Sequence, residues 1–62
     1  MSLKKSDLKL AYLDGKHARI DYNNPAKKEQ SEMLMKWYEQ ISVINNTPEL
    51  YSEFIKGFNG VK

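Results

Sequence analysis

A small all-α domain of three helices is the fold this sequence predicts, and three observations carry the prediction. Apolar residues recur at three- and four-residue spacing in three separate segments. Two Asn-Asn punctuations divide those segments, one running into Pro25 and the other into Thr47-Pro48. No segment alternates strictly between apolar and polar residues, and no hairpin dipeptide separates two apolar runs. The expected helices cover residues 7–22, 25–45 and 48–58 of one domain spanning 1–62, with a helical dimer among the expected states.

In the first helix, Ser6 or Asp7 suits the N-cap. Leu8, Ala11, Ala18 and Tyr22, with Gly15 among them, fall on one side of the helix. Leu10, Leu13 and Ile20 fall largely on the opposite side. A helix that is apolar on two faces touches two things, and the second is expected to be another copy or another protein. Gly15 costs such a helix about 0.5–1 kcal/mol relative to Ala, and a break into two short pieces is the alternative at this point.

The second helix is expected to begin at Pro25, which suits a first helical position, with Asn24 as its N-cap. Leu34, Trp37, Ile41 and Ile44 follow at spacings of three, four and three, widened by Met33 and Tyr38. This reads as the core stripe, with Trp37 buried and its neighbour Tyr38, about 100° around the helix, reaching the surface. Lys28, Glu32 and Lys36 form a charge ladder on another face. The third helix has the clearest start, with Thr47 as N-cap, Pro48 in the first position and Glu49 near the positive helix end. Leu50, Tyr51, Phe54, Ile55 and Phe58 make its apolar face, and Gly57 or Gly60 is expected to end it before a frayed terminus.

A chain of 62 residues without Cys has neither a disulfide nor a thiolate metal site to staple it. Helix packing, self-association or a partner must do so. A hydrophobic content of 40% with seven aromatics favours a folded domain over a disordered tail. The net charge of +2 is mildly basic, without the basic stripe of a dedicated nucleic-acid binder. No apolar run approaches a membrane span or a signal-peptide core, so a cytoplasmic protein is expected, and Asn45-Asn46-Thr47 is then a glycosylation match without meaning.

Catalytic equipment is sparse. Nucleophilic chemistry lacks a Cys, and His17 has no Ser in a recognisable local motif. The three glycines are scattered and form no phosphate loop. Asp14, His17 and Asp21, with Asp7 extending the row, share a helix face, which reads as a solvated acidic face and not as a zinc site. No catalytic residue, metal or cofactor is expected. Lys9, Lys16 and Arg19 share a flank beside Tyr12 and could touch an RNA backbone, with the ring as a stacking surface. The third helix is too apolar to be a recognition helix.

From Ala11 onward the chain resembles the ribosome modulation factor family and its small phage and plasmid relatives. Ala11, Gly15 and Ala18, the turn at Asn24-Pro25, and Trp37 in the following helix carry the likeness, which covers residues 11–37. The resemblance implies a small helical protein that binds the ribosome or RNA–protein surfaces and inhibits activity. The chain departs from the pattern at Ala26, where an aromatic is usual, and at Tyr38-Glu39-Gln40, where Gly-Trp is often found.

The leading expectation is a non-enzymatic, regulatory interaction protein that binds another protein or itself through Leu10, Leu13, Ile20 and Tyr38. The alternative is a ribosome- or RNA-binding modulator using Lys9, Tyr12, Lys16 and Arg19.

Overall fold

A computed structural model describes residues 3–60. It contains three helices, α1 (Lys5–Tyr22), α2 (Lys28–Ile44) and α3 (Pro48–Gly60). The chain runs up, down and up, so α1 and α3 lie side by side pointing the same way and α2 packs antiparallel against the pair. Of the three residues expected to fray, Gly60 is the last residue of α3, and Val61 and Lys62 lie outside the described residues.

Helix α1 is continuous through Gly15. It starts a little earlier than Ser6 or Asp7 suggested, because Lys4 is the cap and Asp7 sits one turn inside. There the Asp7 carboxylate accepts the Lys4 backbone N–H at 3.2 Å, satisfying a donor the helix itself leaves free. Asn24 does make the expected bond to the second residue after it, accepting the Ala26 N–H at 3.1 Å. The backbone nevertheless closes a tight turn there, Lys27 N–H to Asn24 C=O at 2.9 Å, and α2 begins at Lys28 instead of Pro25.

Helix α2 ends in a Schellman motif. The Thr47 N–H reaches the Ser42 carbonyl at 2.9 Å and the Asn46 N–H reaches Val43 at 3.3 Å. Asn46 takes the left-handed position with φ of 53°. Asn tolerates that region better than other side chains, but less well than Gly. Asn46→Gly should therefore raise stability by up to about 1 kcal/mol, and Asn46→Ala should lower it by about 1 kcal/mol. Urea unfolding of the three proteins ranks them, and an Ala variant as stable as the Gly variant would contradict this geometry.

Pro48 opens α3 as expected, but the Thr47 hydroxyl is buried and makes no hydrogen bond. The Ser42 hydroxyl of α2 instead accepts the Tyr51 N–H, in the first turn of α3, at 3.0 Å. Helix α3 also passes through Gly57 and ends at Gly60. Gly57 is needed for packing, not for termination.

The core centres on the meeting of α1 and α3. Ala11, Gly15 and Ala18 are buried against Phe54, Gly57 and Phe58. A Cβ on Gly15 would overlap the Phe54 carbonyl and stand 2.9 Å from the Phe58 nitrogen. One on Gly57 would overlap the Tyr12 carbonyl and stand 3.1 Å from the Lys16 nitrogen. The two backbones touch, which accounts for the small-residue pattern of α1 by packing alone. The Tyr38 ring stacks on Phe54 with centroids 4.6 Å apart, and Tyr22 meets Phe58 edge-on at 5.5 Å. Leu50, Tyr51 and Ile55 complete the apolar face expected of α3.

Candidate functional site: an apolar groove beside Trp37

Helix α2 does not bury the stripe its spacing suggested. Its buried residues are Ser31, Tyr38 and Ser42, with Leu34, Met35 and Ile41 half-buried beside them. Trp37 is 52% exposed and Ile44 79% exposed, whereas Tyr38 is 4% exposed. The expected roles of Trp37 and Tyr38 are thus exchanged, and Tyr38 is not available as a surface contact. Relative to the expectation, α2 is turned by about one residue, roughly 100°.

Three side-chain hydrogen bonds explain the turn. The Ser31 hydroxyl donates to the Ala18 carbonyl at 2.5 Å, the Tyr38 hydroxyl donates to the Asp14 carboxylate, and Ser42 holds Tyr51. These groups need partners once they are buried, and each has one. The close approach of α1 and α3 leaves room beside them for a flat ring and two serines. Burial raises the pKa of the Tyr38 phenol, and the hydrogen bond and negative charge of Asp14 raise it further.

The displaced apolar residues border an open groove of about 250 Å³ along α1 and α2. Leu10, Trp37, Ile41 and Leu50 line it, with Asp7 and Asn45 among the polar residues of its wall. Leu10 is 57% exposed. Met33 extends the apolar surface one turn before Trp37, and Ile44 extends it two turns after. Among the residues expected to bind a partner, Leu10 stands in the groove. Leu13 and Ile20 are exposed on α1 outside its lining.

The residues of the RNA alternative are spread among different contacts. Lys9 is exposed. The Lys16 ammonium lies 5.1 Å over the Tyr12 ring. The Arg19 guanidinium is 5.0 Å over Phe58 and 5.9 Å from Tyr22, with its Nε buried. Arg19 thus packs on the core edge with its Nε turned inward. Asp14 is engaged by Tyr38, and among the described residues no three His, Cys, Asp or Glu side chains gather as metal ligands.

The chain matches no protein-family model, no curated protein and no solved structure. The resemblance over residues 11–37 therefore rests on its own residues. No described helix is long and apolar enough to cross a membrane.

Sequence reasoning missed Trp37 as a surface residue. A signal was present: Ser31, Tyr38 and Ser42 recur at spacings of seven and four, the same period as the apolar stripe. Serine is seldom counted when an inward face is sought, so the set went unweighed.

Proposed function

We propose that this chain is a small cytoplasmic, non-catalytic regulatory protein that acts by binding another protein, or itself, through the apolar groove of α1 and α2. The half-exposed Trp37 beside Leu10 and Ile41 is the observation that supports this reading. Trp is the residue most enriched at energetic centres of interfaces, and here it stands in a concave apolar surface flanked by further apolar side chains.

Photo-crosslinking in the producing cell tests the proposal. A benzophenone side chain replaces Trp37 in one variant and Glu39, exposed on another face, in the second. Protein adducts concentrated at position 37 are expected. Equal yields at the two positions, or none at 37, would sink the reading. Adducts that co-sediment with ribosomes, and whose formation falls steeply with salt, would overturn it in favour of the modulator that the resemblance implies.

A further inference from the structure

We propose that the occupant of this surface is a second copy of the chain, packed antiparallel along α2 with Trp37 at the two-fold axis. The proposal rests on the reading of the groove as a binding surface and names its partner.

One uncharged arc on the exposed side of α2 carries Gln30, Met33, Trp37, Gln40 and Ile44. At 100° per residue, the equally exposed Lys28, Glu32, Lys36 and Glu39 fall outside that arc and Glu29 stands at its edge. An identical surface can meet itself only if like charges do not face each other, and this arc has none to face. The mixed charges beside it give no preference for a basic or an acidic partner. They also lack the Lys and Arg flanks of a helix that lies on anionic lipid.

The pattern is also self-complementary. In an antiparallel pair centred on Trp37, Met33 meets Ile41 of the other copy, Gln30 meets Ile44, and the two indoles meet each other. Every apolar residue of the arc then finds an apolar residue or a neutral amide. The interface would run about 21 Å along α2, from Gln30 to Ile44. Met33, Trp37 and Ile44, with Leu10 beside them, are each more than half exposed, apolar surface of the kind that an interface of roughly 1,000 Å² total buries.

The shape of the protomer agrees. Its Cα atoms extend only 13 Å in the shortest direction, so the helices form a thin body with little interior. A second layer laid on α2 would supply the burial that a chain this small is short of.

The test uses the full chain in solution. Sedimentation equilibrium across low to high micromolar concentrations should show the mass rising from 7.3 kDa to twice that value. Trp37 is the only Trp, so its emission should shift to the blue over the same range. Trp37→Glu and Ile44→Glu should each remain monomeric with unchanged helical circular dichroism, and Ile20→Glu, outside the arc, should still dimerise. Because the chain has no Cys, orientation can be read from engineered pairs. Gln30→Cys should form a disulfide with Ile44→Cys in a mixture of the two, and far less with itself.

A chain that stays monomeric throughout would overturn the proposal, as would a dimer that survives both Glu substitutions. Preferential Gln30→Cys self-pairing would overturn the antiparallel register. A monomer whose position 37 crosslinks to a different protein in the cell would remove the second copy as occupant and leave the groove as the binding surface. Absence of crosslinks at 37 would remove both.

Discussion

Gly15→Ala is expected to lower the melting temperature of the full chain while raising the helicity of an isolated α1 peptide. In a helix without neighbours, Ala is about 1 kcal/mol better than Gly. In the folded protein the new methyl meets the Phe54 carbonyl and the Phe58 nitrogen, which are backbone atoms that no rotamer change can clear. Overpacking of this kind costs up to about 3 kcal/mol or more, so the net loss is about 2 kcal/mol. For a domain of this size that lowers the melting temperature by roughly 8–16 °C. Gly57→Ala should behave alike, because its methyl meets the Tyr12 carbonyl at the same crossing. The double variant should cost less than the sum of the two, since one separation of α1 from α3 relieves both overlaps. Thermal melts followed by circular dichroism read all three. A Gly15→Ala chain that melts higher than the parent would show that the backbones do not touch at this point.

The second large effect separates adjacent residues. Tyr38→Ala is expected to abolish cooperative unfolding, and Trp37→Ala, measured in dilute solution, is expected to change stability by about 1 kcal/mol or less. Removing a buried aromatic costs about 3–5 kcal/mol, against a total of roughly 3–9 kcal/mol for a chain of this length. Tyr38 is buried and stacked on Phe54, whereas half of Trp37 already meets water. Tyr38→Phe keeps the stacking and loses only the hydroxyl given to Asp14, a cost of about 1.5–3 kcal/mol for a hydrogen bond to a charged group.

The same hydroxyl predicts a pH dependence. Burial first, and then the hydrogen bond and charge of Asp14, hold the Tyr38 phenol above its ordinary value of 10.0. Above that pH the unfolded chain gives up this proton while the folded chain retains it. The stability contributed by the neutral phenol is therefore complete below about pH 10 and is lost as the pH rises beyond it. Tyr38→Phe should show a shallower alkaline decline than the parent. Urea midpoints measured from neutral pH upward give the two curves, and parallel curves would rule out this role for Tyr38.

The groove was only partly legible beforehand. The side of α1 that carries Leu10 is expected to lack a partner within the chain, and Leu10 is exposed in the groove. Tyr38 was assigned to the same surface and is buried, because periodicity places residues on a common face without saying which face turns inward. Both arcs of α2 repeat with helical spacing. The choice between them depends on the Ala18 carbonyl, the Asp14 carboxylate and the Tyr51 N–H, groups that lie between 9 and 24 residues away along the chain. No local rule weighs a hydrogen bond to a partner so distant.

By itself, the sequence determined that this protein is three helices and roughly where each one lies. Helical spacing, Pro25, Pro48 and the two Asn-Asn turns act over a few residues, and local backbone preferences decide such matters. The apolar face of α3 was equally determined, because it carries apolar residues on one side and offers no competing face. Only the tertiary structure decided how α2 is turned and why Gly15 and Gly57 stand where they do. Once the backbones of α1 and α3 touch at the two glycines, the space beside them suits two serines and a tyrosine ring whose polar atoms find partners. The indole of Trp37 is left outside, where it marks the surface proposed for function.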